Sequence, residues 1–246
     1  MNEHLSEFFV RSYEAGVDNR VGIAQLCNYL QEAAGAHAEE LGFGILELQS
    51  KGISWMLSRL SLEISSYPRW GEKLKVRTWP SGLKGRLVAT RDFEVETSGG
   101  AAVLNGVSEW LVVNLAARRI EKLDDSFRSL VVEDCERANV ASQSLGGKFA
   151  ALGKTDASAR IIVRRSDLDF NNHVNNVHYA EWLMEALPEE FGRRAVRNLD
   201  IVFKQEASAG ETLEVRTEIA DADTLRHVIV ASENERILVT AQTVWQ

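Results

Sequence analysis

Apolar residues along this chain follow two periods, and the order helix-then-strands is written twice. Val174, Val177, Ala180, Met184 and Leu187 fall three or four apart, one stripe of a helix. Beyond it, Leu199, Ile201 and Phe203 alternate as a strand does, and Leu60, Leu62 and Ile64 do the same in the first half. The pattern predicts strands near 55–65, 72–79, 86–97 and 102–115, then near 159–164, 197–206, 211–220, 224–232 and 236–245. A short strand and a turn precede each helix. Helices followed by runs of strands argue an α+β protein, each helix laid against one face of an antiparallel sheet.

The doubling is also literal. Gly71-Glu-Lys-Leu-Lys-Val-Arg-Thr78 and Gly210-Glu-Thr-Leu-Glu-Val-Arg-Thr217 agree at six of eight positions. Upstream, residues 19–33 lie against 172–186: Asn19, Val21, Leu30, Glu32 and Ala33 meet identical residues, and Tyr29 meets Trp182. The first copy carries an insertion near residues 38–53 between its helix and its strands. Residues 122–157 are polar with Gly and Ser, and read as a linker between an N-terminal half (1–121) and a C-terminal half (158–246). The second copy is too small to bury a long helix well alone, so two copies side by side are expected.

Composition adds exclusions. The chain has 246 residues, 45% hydrophobic and 26% charged, which is ordinary for a globular protein. It contains no run of eighteen apolar residues, so no membrane span is expected. The N-terminus lacks a basic-then-apolar leader, and a cytoplasmic protein is the default. A net charge of −8 argues against nucleic-acid binding. Cys27 and Cys135 make neither a disulfide framework nor a metal site.

Chemistry concentrates at residues 166–178. Asp169, Asn171 and His173 put a carboxylate, an amide and an imidazole within five residues, just ahead of a helix. If that loop is extended, alternation sends all three side chains off one face. The first N–H groups of the helix lack intrahelical partners and the macrodipole favours negative charge there, so the backbone near Val174 and Asn175 is expected to hold an oxyanion. Through the repeat, Asp169, Asn171 and His173 correspond to Gly16, Asp18 and Arg20, which predicts one catalytic centre per chain, in the second copy. A metal site on His173, His178 and Glu181 is disfavoured, because a five-residue spacing does not stack on one helix face.

Ser166-Asp-Leu-Asp-Phe-Asn-Asn-His-Val-Asn-Asn-Val-His-Tyr179 strongly resembles the active-site motif of acyl-acyl carrier protein thioesterases, and Tyr67-Pro-Arg-Trp-Gly-Glu72, Val76-Arg-Thr-Trp79, Arg91-Asp-Phe93 and Ser108-Glu-Trp-Leu-Val-Val-Asn114 resemble the N-terminal half of the plant enzymes. The resemblance spans roughly residues 8–245. It implies a tandem (double) hotdog, two long helices each packed on an antiparallel sheet, that hydrolyses fatty acyl-acyl carrier protein and releases free fatty acid without a cofactor. It implies Asp169, Asn171 and His173 as catalytic, joined by a Glu on the strand after the helix, here Glu206. In plant enzymes a Cys follows that Glu. Here Ala207 stands in its place, which counts against a cysteine nucleophile.

Two routes stay open, direct attack by Asp169 or attack by a water that Asp169, Glu206 and His173 activate. A thiol leaving group departs readily, so strong acid assistance is optional. Strict alternation from Leu199 puts Glu206 on the face opposite Phe203, so a bulge or the strand's end must re-aim it. Trp55, Met56 and Leu57 are suited to an acyl pocket. Arg164, Arg165, Arg193, Arg194 and Arg197 are candidates for landing an acidic carrier protein and its phosphopantetheine arm. Acyl-CoA as substrate and a non-catalytic acyl-binding module are the alternatives, a Pro-rich dehydratase motif is absent, and monomer and homodimer both fit.

Overall fold

The computed structural model describes residues 3–129, 147, 149–169 and 171–246. The chain forms two compact units, residues 1–145 and 146–246. In the first, β1 (His4–Phe9), β2 (Ile53–Ile64), β3 (Lys73–Lys84), β4 (Val88–Thr97) and β5 (Ala102–Asn114) are ordered β1-β3-β4-β5-β2, with β6 (Arg119–Glu121) paired to β5. In the second, β7 (Ala157–Ile162), β8 (Val196–Phe203), β9 (Thr212–Ile219), β10 (Thr224–Ala231) and β11 (Ile237–Trp245) are ordered β7-β9-β10-β11-β8. Element for element this is the same order, every pair antiparallel. Phe9 pairs with Lys73 and Ile162 with Thr212, the positions the repeat equates.

Helix α1 (Ile23–Glu40) buries Ile23, Leu26, Cys27, Tyr29, Leu30, Ala33, Ala34 and His37 in the first unit. The inserted segment supplies its last turn and α2 (Ile45–Ser50). Leu123 and Phe127, inside the stretch read as a linker, are buried against Leu48 and Val112, so the first unit's packing runs past residue 121. Phe127 lies in a short helix, α3 (Asp125–Arg128). Two apolar side chains in a polar stretch were enough to anchor it. Cys135 lies outside the described residues.

The second unit departs from expectation in its helix. α4 spans only Asn176–Leu183, followed by a 3₁₀ turn at Met184–Ala186. Pro188 ends this helical run after Ala186, because the residue before a proline is driven out of the α region, and Leu187 sits at φ −89°, ψ 137°. The apolar stripe is buried at Val174, Val177 and Ala180 but only half-buried at Met184 and Leu187. Among the described residues no helix is long and apolar enough to cross a membrane.

Beneath this packing lies a buried polar row. His227 on β10, 2% exposed, has Nδ1 at 2.9 Å from Thr217 Oγ1 and Nε2 at 2.9 Å from Thr243 Oγ1. Trp245 Nε1–H donates to the same Thr243 hydroxyl at 2.7 Å. Burial pushes the imidazole pKa down to about 3. The fold therefore keeps His227 neutral while the unfolded chain takes up a proton below a pH of about 6.5. This contribution is intact above that pH and is lost towards pH 3, at up to about 1.4 kcal/mol per pH unit. Urea titrations at about pH 6 and 4 are expected to show this slope in the wild type and a shallower one in His227→Gln.

Candidate active site

The polar segment ahead of α4 is a tight hairpin rather than an extended strand. A 3₁₀ turn at Arg165–Asp167 leads in, and the buried Asp167 carboxylate accepts the Arg164 N–H at 2.8 Å. Leu168 then faces Val174, flanked by Asp169 N–H donating to the His173 carbonyl at 2.7 Å and Asn175 N–H donating to the Asp167 carbonyl at 2.9 Å. The reversal is made by Asn172 at φ 61°, a left-handed conformation that asparagine tolerates better than most residues. Asp169 Oδ1 accepts N–H groups from Asn171 at 2.8 Å and His173 at 3.1 Å, while Oδ2 meets Asn171 Nδ2 at 3.4 Å. The carboxylate thus shapes the loop that presents the amide and the imidazole. Asn175 caps α4, its side chain accepting the Val177 N–H at 3.2 Å.

Glu206 reaches the same place from the sheet. β8 ends at Phe203, so Glu206 sits beyond the strand and is free of its alternation. Its Oε1 lies 3.1 Å from His173 Nδ1, both side chains about half exposed (49% and 50%). Solvent screening makes this pair an orienting contact more than a source of stability. The Glu206 segment is pinned on two sides. Arg236 Nη1 donates to the Glu206 carbonyl at 2.8 Å, and Ala207 N–H donates to the Tyr179 hydroxyl at 3.0 Å. Tyr179 and Arg236 escaped the sequence reading: Tyr179 stands inside the motif but bonds an N–H 28 residues away, and Arg236 is thirty residues from the group it holds. Burial pushes the Tyr179 hydroxyl up to about 12, so it stays protonated. Tyr179→Phe leaves a buried N–H unpaired and is expected to cost about 1–3 kcal/mol of stability, read by thermal denaturation, with a several-fold loss of turnover as Glu206 loosens.

The first unit is an internal control. Asn19 stands at φ 62°, Gly16 N–H donates to the Arg20 carbonyl at 2.8 Å, Asn19 N–H to Gly16 at 3.0 Å, and Arg20 N–H to Asp18 Oδ1 at 3.1 Å. The backbone of the loop is therefore built twice and the carboxylate–amide–imidazole set once. One donor also differs. Val21 N–H is spent on the Pro68 carbonyl at 2.8 Å, whereas its counterpart Val174 N–H meets no acceptor among the described residues. Asn175 N–H, expected beside it as an oxyanion donor, is already engaged by Asp167.

Other expected residues separate. Arg194 is committed to the fold, bonded to the Ala222 and Trp245 carbonyls at 2.8 and 3.2 Å, paired with Asp223, and stacked 4.9 Å over Phe191. Arg164, Arg165, Arg193 and Arg197 are exposed. Trp55 donates to the Phe43 carbonyl at 3.0 Å and lies edge-on to Phe127 at 5.3 Å; Leu57 is buried and Met56 half-buried. His178 pairs with Glu181 at 2.9 Å along the helix. Burial pushes the Cys27 thiol up to about 12, which removes it as a nucleophile at neutral pH.

Family comparison agrees with the duplication. Residues 1–131 match the acyl-ACP thioesterase N-terminal domain and residues 151–246 the acyl-ACP thioesterase C-terminal domain. The chain belongs to the acyl-ACP thioesterase family. Among relatives, a chloroplastic acyl-[acyl-carrier-protein] hydrolase of Cuphea viscosissima is 30% identical over 97% of this chain and 61% of its own length. A chloroplastic oleoyl-acyl carrier protein thioesterase of Arabidopsis thaliana is 29% identical over 76% of this chain and 54% of its own. The chain thus spans little more than half the length of the curated relatives it matches. Two solved structures share the fold: the 12:0-ACP thioesterase from Umbellularia californica, TM-score 0.87 at 24% identity, and an acyl-ACP thioesterase from Bacteroides thetaiotaomicron, 0.86 at 22%. Each alignment covers 100% of this chain and 98% of the other. The fold is the α+β double hotdog of the acyl-ACP thioesterases.

Proposed function

We propose that this chain hydrolyses the thioester of fatty acyl-acyl carrier protein to free fatty acid and carrier thiol. The observation that carries the reading is the His173–Glu206 contact of 3.1 Å, assembled beside Asp169 and Asn171 in a chain of this family. A water held between these side chains loses its proton to the His173–Glu206 pair as its oxygen bonds to the thioester carbon. The carbonyl electrons move to oxygen, and the Val174 N–H supports that charge. Collapse breaks the carbon–sulfur bond, and the thiolate takes up a proton. Asp169 holds the loop and contributes negative charge beside the water. Its Oδ1 already accepts two N–H bonds, which favours this role over direct attack. No cofactor is needed.

Trp55, Met56 and Leu57 stay assigned to acyl-chain selection, and the exposed Arg164, Arg165, Arg193 and Arg197 to the carrier's acidic surface. The reading includes a cytoplasmic setting. Incubation with a panel of acyl-acyl carrier protein thioesters and the matching acyl-CoA esters, following free acid and free thiol, tests it. Faster turnover on the carrier-bound series is expected. Acyl binding without release of either product would leave only a binding module.

A further inference from the structure

Where the second unit carries Asp169, Asn171 and His173, the first unit carries a different set. At the loops equivalent to the catalytic mouth, Tyr13 stands for Ser166, Trp70 for Ala209, Arg69 for Ser208, Lys73 for Thr212 and Arg20 for His173. At four of these matched positions the first unit carries an aromatic or cationic residue where the second carries Ser, Ala or Thr, and at the fifth a permanently charged Arg stands opposite His. The aromatic ones are not buried: Tyr13 is 77% exposed and Trp70 59%, joined by Phe9 at 50% and a fully exposed Val17.

Backbone bonds hold these tips together at one end of the first unit. Val10 N–H donates to the Glu72 carbonyl at 2.9 Å and Gly71 N–H to Val10 at 3.0 Å, which joins the end of β1 to the Pro68–Glu72 turn. Val21 N–H on Pro68 and the Arg20–Arg69 bridge join that turn to the loop carrying Val17. Trp70 precedes Gly71 at φ 91° and Val17 lies in the reversal closed by Asn19 at φ 62°, so both occupy turn tips. Over residues 9–20 and 68–73, Arg11, Arg20, Arg69 and Lys73 face three carboxylates. One of these, Glu14, has a side chain only 5% exposed, paired with Arg11 at 3.3 Å and held by the Tyr29 hydroxyl at 2.7 Å, leaving Asp18 and Glu72 exposed.

We infer that this end of the first unit docks on an anionic lipid surface, with Trp70, Tyr13, Phe9 and Val17 entering the headgroup layer and Arg20, Arg69 and Lys73 meeting lipid phosphates. Apolar residues on separate protruding tips suit a fluid interface, whereas a protein partner is matched by a continuous flat or concave face. Tyrosine and tryptophan are the side chains that settle at the headgroup level. Local cations on a chain of net charge −8 give the surface its preference for negative lipid.

The test is co-sedimentation of the full chain with phosphatidylglycerol and with phosphatidylcholine vesicles, at low salt and at about 0.5 M salt. Partition onto phosphatidylglycerol is expected, several-fold weaker on phosphatidylcholine and at high salt. Tyr13→Ser with Trp70→Ser should lower the partition roughly tenfold or more. Their thermal midpoint and their rate on soluble acyl-acyl carrier protein should match the wild type. A wild type that stays in the supernatant with phosphatidylglycerol at low salt overturns the inference, as does a double variant that partitions equally. Variants that instead lose carrier-protein affinity, or turn a dimer into a monomer, without any vesicle binding, would assign the surface to a protein partner and overturn it too.

Discussion

Replacing Asp169 with asparagine is expected to lower turnover of acyl-acyl carrier protein by about 10²–10⁴-fold while the fold survives. The amide oxygen of the new side chain can still accept the N–H bonds now donated by Asn171 at 2.8 Å and by His173 at 3.1 Å. The loop keeps its shape and only the charge is lost. Asp169→Ala removes both, so it should lose turnover and about 1 kcal/mol of stability as well. Steady-state kcat and thermal midpoints on the two variants separate the roles. An Asp169→Asn enzyme with wild-type kcat would make Asp169 a loop former alone.

His173→Ala is expected to cost about 10²–10³-fold in kcat, and Glu206→Gln about 10–10²-fold. The two side chains meet at 3.1 Å and share one proton in the proposed mechanism, so the double variant should be little worse than His173→Ala. Their half-exposed positions mean that neither change should move the thermal midpoint appreciably. Multiplying losses in the double variant would mean that the residues act independently.

Much of the architecture was legible before any coordinates. Strand positions followed from alternation, and the Gly71–Thr78 and Gly210–Thr217 match announced two units of one design. What escaped has identifiable causes. The second helical run ends after Ala186 because Pro188 keeps Leu187 out of the helix that periodicity alone carried to it. The loop at 169–173 folds back instead of extending, because Asn172 adopts a positive φ that composition permits without requiring. Asn175 N–H was promised to an oxyanion and is taken by Asp167, a contact eight residues apart in a hairpin that no pattern announces. Arg194 looked like one of several entrance cations until its carbonyl partners proved to be Ala222, in the turn after β9, and Trp245, at the end of β11, both far along the chain. The first two causes are local backbone geometry and the last two are polar groups that found distant partners, and hydrophobic periodicity is silent on both.

The most direct test of one working mouth in a duplicated chain compares two matched loop variants. Asp18→Asn with Arg20→Ala alters the first loop, and Asp169→Asn with His173→Ala the second. Free fatty acid released from acyl-acyl carrier protein is then followed under initial-rate conditions. The account predicts a rate within about twofold of wild type for the first variant and a loss of at least about a hundredfold for the second. Comparable losses in both, or a second variant that still turns over, would contradict it.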